Sequence, residues 1–119
     1  MIRNIHRRRI PAPANEVGAL IDSLASDHDR LWPRDRWPPI RLDRGLRVGS
    51  SGGHGPILYS VATHEPGRSV QFEFAPRCGL IGFHKFSVES SDGSGTILRH
   101  ELQARTRGWM SLGWPLAMR

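Results

Sequence analysis

The 119-residue sequence is poor in cysteine, lysine and long apolar runs. Its one cysteine, Cys78, has no partner for an internal disulfide, and its place in an apolar loop predicts a packed thiol in preference to a nucleophile. No apolar run is long enough to cross a bilayer, and Met1 leads into basic residues where a signal peptide would be apolar. We therefore expect a cytoplasmic protein, with one domain over residues 1–119.

Basic residues outnumber acidic ones by 17 to 11, which gives a net charge of +6. Such a charge is compatible with nucleic-acid binding, in which cations replace the counterions of phosphates. However, the basic residues are spread along the chain, and the one tight run, residues 7–9, would alternate between the two sides of a strand. The aromatic residues belong to a predicted inner face or neighbour prolines, whereas RNA-binding sheets display theirs. An arginine-rich nucleic-acid-binding protein is therefore only our second alternative, and we do not expect nucleic acid as a partner.

Four segments between Ile57 and Arg107 alternate polar and apolar residues, as strands with one buried face do. When each segment is folded back on the previous one, the apolar faces come together. The sequence therefore predicts a curved antiparallel sheet with one apolar, aromatic-rich face. The residues predicted on that face are Ile57, Tyr59, Val61, Thr63, Val70, Phe72, Phe74, His84, Phe86, Val88, Leu98, His100, Leu102 and Ala104.

The turns set the register of these strands. A two-residue turn at Pro66 and Gly67 predicts the pairs Tyr59 with Phe74, Val61 with Phe72, and Thr63 with Val70. Because Pro-Gly favours a type II turn, which splays a tight hairpin, a bulge or a longer loop there is the alternative. A turn over residues 90–95 predicts that Phe86 lies opposite His100.

A strand and a helix are predicted ahead of this sheet. Residues 2–10 are extended and polar enough to suit an edge strand. Pro13 and Glu16 favour a helix start, and an apolar stripe predicts a helix over residues 14–26. Gly18 within this helix predicts close packing against another backbone. The stripe consists of Val17, Leu20, Ile21 and Leu24.

Residues 27–39 are predicted to be an irregular connection, since prolines follow both Trp32 and Trp37. The two tryptophans either form a lid over a pocket or cover the end of the core, and we favour the second because Trp is usually buried for packing. The alternation of apolar and basic residues predicts two short strands, over residues 40–42 and 46–48. The glycine-rich residues 49–55 lack the Lys-Ser or Lys-Thr ending of a phosphate loop and predict a flexible connection.

The residues Ile10-Pro11-Ala12-Pro13, followed by Asn15-Glu16-Val17, resemble the Ile-Pro-Ala-Pro start of the first helix in the SRPBCC superfamily, which includes START lipid-transfer domains, birch-pollen-allergen-like proteins and polyketide cyclases. This resemblance implies an α+β helix-grip fold, in which a curved antiparallel β-sheet with an N-terminal helix surrounds a C-terminal helix and a hydrophobic cavity. Further segments resemble an uncharacterised bacterial branch, namely Gly53-His54-Gly55-Pro56-Ile57, Glu65-Pro66-Gly67-Arg68, Gly82-Phe83-His84 and Leu98-Arg99-His100.

The C-terminus departs from that superfamily, whose members carry a long last helix. Residues 109–119 leave room for about two or three turns and contain Pro115. We therefore expect a shortened C-terminal helix, and a domain that lacks most of it. Either the chain is a fragment, or another subunit covers the open sheet face, because a large exposed apolar surface normally marks an interface. Our hypothesis is a truncated domain that self-associates as a homo-oligomer.

The predicted function is the binding or transport of a hydrophobic small molecule in a cavity between the sheet and the C-terminal helix. The resemblance implies a ligand of the lipid, polyketide or quinone class. For Tyr59, we expect a hydroxyl that faces either a ligand or the solvent at the rim. The predicted ligand-binding residues are Tyr59, Val61, Phe72, Phe74, His84, Phe86, His100, Leu102 and Trp109.

His84 and His100 are the candidate catalytic residues, because both belong to the inner face and lie diagonally on neighbouring strands. Each is a candidate general acid or base in a polyketide cyclase- or aromatase-like dehydration, a polar anchor for a ligand, or a neutral core histidine with an ordinary hydrogen bond. The enzyme is our first alternative, and a binding protein without catalysis is favoured.

No cofactor or metal is predicted. The histidines form no i, i+4 pair on a helix, and His64 is expected on the outer side of its strand. Glu73, Glu89 and Glu101 also alternate outward, which leaves no inward carboxylate for a paired-carboxylate hydrolase. No serine occupies a G-x-S-x-G elbow, so a Ser-His-Asp site is not supported.

Overall fold

The computed structural model describes residues 1–33 and 35–107. These residues form one antiparallel sheet of seven strands in the order β1-β7-β6-β5-β4-β3-β2, with one α-helix, as in an α+β protein. No helix in the described ranges is long and apolar enough to cross a membrane. The predicted C-terminal helix and Trp109 lie outside the described residues. The elements are β1 (Ile2–Ile10), α1 (Ala14–Asp22), β2 (Arg41–Leu42), β3 (Ser51–His54), β4 (Ile57–Glu65), β5 (Ser69–Phe74), β6 (Leu80–Asp92) and β7 (Gly95–Thr106), with a 3₁₀ turn at Pro76–Cys78.

Strand β1 lies at the edge of the sheet, as its polarity predicted, and pairs with β7 from Ile2 opposite Ala104 to Ile10 opposite Thr96. His6 is paired with His100 in this register. Arg7 is on the opposite face, where it donates to the Glu89 carboxylate. The edge strand therefore contributes His6 to the concave face of the curved sheet and Arg3, Arg7 and Arg9 to the convex face, whereas Arg8 shares the concave face with its partner Leu98.

The β4–β5 hairpin confirms the predicted pairs of Tyr59 with Phe74 and Val61 with Phe72. The prediction for Thr63 is wrong, because a register shift between Val61 and Thr63 places Thr63 opposite Gln71. An extra residue in one strand moves the following side chains to the other face. The turn itself is the longer loop, in which the Arg68 N–H donates to the Glu65 carbonyl over 2.9 Å.

The same register shift corrects the prediction for His64. His64 pairs with Val70, which is fully buried, and its Nε2 lies 3.1 Å from Asp22 Oδ1 on α1. His64 is therefore on the side of the sheet that α1 covers, and not on the outer side.

Strands β6 and β7 are longer than predicted, and only residues 93–94 separate them. Phe86 lies opposite His100, as expected, and a second register shift occurs between Val88 and Ser90. This long hairpin supplies the concave surface on which both histidines lie.

Helix α1 begins at the predicted residue but ends at Asp22, four residues earlier than predicted. Val17 and Ile21 are fully buried, and Leu24 is buried although it follows the helix. The prediction for Gly18 is confirmed, since a Cβ there would clash with the Gly67 carbonyl oxygen. Helix and hairpin loop are thus in backbone contact.

The region before β4 differs most from the prediction. Residues 46–48 form no strand, and Val48 is 63% exposed. Instead β3 lies within the glycine-rich segment that was predicted to be a flexible connection. Gly53 has a φ of 145°, and a Cβ there would clash with the Ile57 carbonyl, so glycine permits this close strand pairing.

The hydrophobic core lies between the concave face of the sheet and α1. Cys78 is part of it, with Sγ 3.5 Å from the Leu58 carbonyl, which confirms the packed thiol. The buried apolar residues are Val17, Ile21, Leu24, Ile40, Ile57, Tyr59, Val61, Val70, Phe72, Phe74, Cys78, Leu80, Phe86, Leu98, Leu102 and Ala104.

Candidate ligand cavity

A cavity of about 580 Å³ lies on the concave face, between β1, the centre of the sheet and the loop before β2. Its walls are mainly apolar and aromatic, and the described lining includes no Asp, Glu, Lys or Arg. The lining residues are Ile2, Asn4, His6, Leu31, Trp32, Pro33, Trp37, His54, Ile57, Phe74, His84, Phe86, His100 and Leu102.

Five of the nine predicted ligand-binding residues line this cavity, namely Phe74, His84, Phe86, His100 and Leu102. Tyr59, Val61 and Phe72 lie in the core beneath its wall, where each is at most 2% exposed. Trp109 lies outside the described residues. Contact of these nine residues with a ligand stays a prediction.

His84 and His100 are neighbours, as their strand positions predicted, with His100 Nε2 3.4 Å from His84 Nδ1. Burial, with a smaller effect of a charge on His6, lowers the pKa of His100 to about 4. Burial, and then the positive charges that His100 and His54 would carry, hold the pKa of His84 well below its ordinary value. Both imidazoles are therefore neutral near pH 7.

Aromatic rings hold the His84 side chain in place. Its ring stacks on Phe72 and Phe74, with centroid distances of 4.8 and 5.4 Å, and the Tyr59 ring contacts it edge to face at 4.6 Å. Its Nε2 has no hydrogen-bond partner among the described residues. Because such a buried nitrogen is costly, His84 is an unusual choice for a purely structural position.

His54, at the end of β3, is a cavity residue that our sequence analysis missed. Its Nδ1 lies 2.7 Å from the Tyr59 hydroxyl, and its ring packs 4.7 Å from Trp32 and 5.8 Å from Trp37, between centroids. Burial lowers the pKa of His54 to about 4. The expectation that the Tyr59 hydroxyl faces a ligand or the rim is corrected, since it contacts His54. The signal in the sequence was the Gly52-Gly53 pair, which permits a tightly paired strand.

Trp32 and Trp37 both line the cavity, so the favoured interpretation that they only cover the end of the core was incomplete. Trp32 also packs against the core. The Asp29 carboxylate accepts from the Leu31 and Trp32 backbone N–H groups, and Trp32 Nε1 donates to the Pro38 carbonyl over 2.9 Å. These bonds fix the loop that closes one side of the cavity.

The edge strand contributes further lining that was not predicted. Asn4 and His6 of β1 reach the cavity rim beside Leu102 and His100, their partners in β7. The sequence marked this strand as polar, but the pairing of β1 with β7 was needed to place its even-numbered residues at the rim. Among the described residues, no group of three or more His, Cys, Asp or Glu is arranged to hold a metal ion.

Neither a family model nor a curated protein matches the sequence. Solved structures match nearly all of it. CalU16 from Micromonospora echinospora has a TM-score of 0.63 at 25% identity, and the match covers 98% of this chain and 69% of CalU16. The solution structure of the Aha1 dimer from Colwellia psychrerythraea has a TM-score of 0.60 at 18% identity. The match covers 98% of this chain and 90% of the Aha1 chain. A protein from Nitrosospira multiformis has a TM-score of 0.65 at 8% identity, and the match covers 98% of this chain and 87% of that protein. Together with the curved antiparallel sheet, these similarities show a helix-grip-like fold.

Proposed function

We propose that this protein binds or carries an uncharged, largely hydrophobic small molecule in the concave cavity. The observation that supports it most is the cavity itself, whose volume of about 580 Å³ is in the range of small-molecule sites and whose described lining carries no permanent charge. His54, His84 and the partly buried His100 are neutral near pH 7, so they provide hydrogen-bonding groups without a net charge. Lipids, polyketides and quinones, the classes implied by the superfamily resemblance, share large apolar areas with few polar atoms.

The proposal predicts that filling the cavity prevents binding. Leu102 faces the cavity, whereas Gln103, the next residue of β7, is on the opposite face of the strand. Leu102→Trp adds a large ring to the cavity wall, and we expect it to weaken binding of the neutral fluorescent probe N-phenyl-1-naphthylamine by about tenfold or more, about 1.4 kcal/mol. Gln103→Trp is the matched control, which should bind as the unchanged protein does.

Circular dichroism would show that both variants fold. The proposal is wrong if the unchanged protein does not bind the probe, or if all three proteins bind it equally. Native mass spectrometry of protein purified from its host would additionally reveal a ligand that copurifies.

The alternative function is a cyclase-like enzyme, and the contact between His84 and His100 with an unpartnered His84 Nε2 favours it. A pKa of about 4 makes His100 a weak base near pH 7, where the most effective general base has a pKa near the operating pH. For this reason we favour binding. Changing both histidines to Phe separates the two functions, because an enzyme would lose turnover and keep its ligand, whereas a carrier would bind apolar ligands as before.

A second copy of the chain is the partner that we propose for the open side of the cavity. The Aha1 structure with the same fold was solved as a dimer, which supports this choice. Light scattering should detect an oligomer. A monodisperse monomer that binds no hydrophobic dye would contradict self-association.

A further inference from the structure

Tyr59 and His54 form a buried phenol–imidazole pair beside the cavity. Tyr59 is 1% exposed, and its hydroxyl oxygen lies 2.7 Å from His54 Nδ1, the one hydrogen-bond partner that the described residues provide. Burial, and then the negative charge of Asp29, raise the pKa of Tyr59 far above its ordinary value. The hydroxyl therefore keeps its proton at any physiological pH.

The direction of this hydrogen bond follows from the burial. If the hydroxyl accepted from Nδ1, its own proton would be buried without a partner, at a cost of about 1–3 kcal/mol. The hydroxyl satisfies that proton when it donates to Nδ1. Since neutral imidazole carries one proton, the proton of His54 is then on Nε2. Tyr59 thus selects the tautomer in which Nε2 is a hydrogen-bond donor.

The surroundings of His54 leave this donor available to a ligand. The imidazole lines the cavity and is packed between Trp32 and Trp37, which restrict its rotation. No residue among 1–33 and 35–107 accepts a hydrogen bond from its Nε2. His84, whose ring centroid is 6.4 Å away, has a fully buried Nε2 that is also unpartnered. The lining of the cavity therefore combines apolar walls with two imidazole nitrogens that have no partner among the described residues.

We propose that the Nε2–H group of His54 recognises a carbonyl oxygen, so that the cavity selects an apolar ketone, quinone or ester over the corresponding hydrocarbon. This inference rests on the proposed function and specifies the ligand class. A carbonyl oxygen fits because it accepts a hydrogen bond and brings no proton of its own that the apolar walls would have to satisfy. The aromatic walls take up the apolar body of the ligand, and His54 sets its orientation.

Two probes that differ only in the carbonyl group test the selection, namely 2-acetylnaphthalene and 2-ethylnaphthalene. We expect the unchanged protein to prefer 2-acetylnaphthalene by about 5- to 10-fold, the size of one net hydrogen bond. His54→Phe keeps an aromatic ring of similar size without the donor and should abolish the preference while both probes still bind. His28→Phe, which changes an exposed histidine, is the control and should keep the preference.

The tautomer has its own measurement, which needs no ligand. In ¹⁵N-labelled protein, a long-range ¹H–¹⁵N spectrum distinguishes protonated from unprotonated imidazole nitrogens, and we expect a protonated Nε2 for His54. Tyr59→Phe should produce a mixture of tautomers and reduce the probe preference, which provides a second variant if His54→Phe does not fold. A proton on Nδ1 of His54 would overturn the inference.

The two proposals fail in different ways. Equal binding of both probes by the unchanged protein would overturn carbonyl recognition and leave the binding function in place. If neither probe nor N-phenyl-1-naphthylamine binds, the binding function is wrong, and the carbonyl inference is wrong with it.

Discussion

The two faces of strand β7 have different ways of burying polar groups. The concave residues include His100, which makes no ion pair among the described residues and contacts the neutral His84. The convex residues include Arg99 and Glu101, which form an ion pair of 2.9 Å between Nη1 and Oε1. Arg3 of β1 lies 3.8 Å from the same carboxylate. Alternate residues of one strand thus belong to a neutral aromatic surface and to a network of charges.

Burial acts on the ionisable groups of both faces, but the outcome depends on what surrounds them. On the convex face burial would raise the pKa of Glu101, yet the hydrogen bond from Gln103 and the charge and hydrogen bond of Arg99 outweigh it and hold that pKa below its ordinary value. On the concave face no carboxylate of the described residues forms an ion pair with His100, so burial lowers its pKa to about 4. The difference teaches that the convex face tolerates charge and the cavity excludes it.

The largest difference in stability between the two faces should appear when an aromatic side chain of the core is removed. Phe72 is fully buried on the concave side, and its neighbour Glu73 is exposed on the convex side. We expect Phe72→Ala to lower the free energy of unfolding by about 3–5 kcal/mol, whereas Glu73→Ala should change it by about 0.5 kcal/mol or less. Urea denaturation measures both. Similar losses for the two variants would contradict the assignment of the faces.

A change of pH should act on the concave face first. The unfolded chain binds protons on its histidines below about pH 6.5, whereas folded His54 and His100, with pKa values of about 4, remain neutral until the pH falls further. The free energy of unfolding is therefore highest above pH 6.5 and falls by about 1.4 kcal/mol per pH unit for each imidazole, until the folded pKa is reached. Carboxylates of the convex face whose pKa is lowered, such as Glu101, begin to lose their contribution to the free energy of unfolding only below about pH 4.5.

Denaturation near pH 7 and near pH 5 isolates this effect. His100→Leu should remove about 2 kcal/mol of the difference between the two pH values, because one neutral buried imidazole is lost. His28→Gln, at an exposed site, should leave the difference unchanged. If His100→Leu keeps the full pH dependence, the imidazole is not held neutral by the cavity.

The smallest effect is expected from the convex ion pairs. Glu101→Gln keeps the side-chain shape and removes the charge that Arg99 and Arg3 contact, at a cost of about 1 kcal/mol. Added salt should reduce this loss, since partly exposed charges are screened. Glu73→Gln on the same face is the control. A loss that does not respond to salt would show that Glu101 contributes by packing or hydrogen bonding instead of charge.

Much of the sheet was predictable because the side chains of a strand alternate faces with a period of two residues. The polar and apolar alternation predicted the contacts of Tyr59 with Phe74 and of Phe86 with His100, as well as the edge position of β1. Gly18 was recognisable because glycine within an apolar helix needs a packing reason. The apolar stripe placed α1 but not its end, since Leu24 is buried from the turn that follows.

The wrong predictions concern strands in which the two-residue alternation of polar and apolar side chains is interrupted or absent. Thr63 and His64 were assigned to the wrong faces because a register shift follows Val61, and nothing in the local sequence marks it. His54 was missed because β3 consists largely of glycine and serine and shows no alternation. Its place in the cavity depends on the contact with Tyr59, which requires β3 to fold back on β4, and on the packing of Trp32 from the loop before β2.

The sequence by itself determined most of the side chains that share the apolar face of β4 to β7, because alternation within each strand keeps charges out of the core, but it failed for Thr63 and His64 beyond the register shift in β4. Only the tertiary structure decided which of those side chains line a cavity and which lie beneath it. The tertiary structure also placed His54, His84 and His100 side by side and kept them neutral. The physical reason is that burial and partner geometry arise from strands and loops far apart in the chain, whereas the alternation of polarity is local.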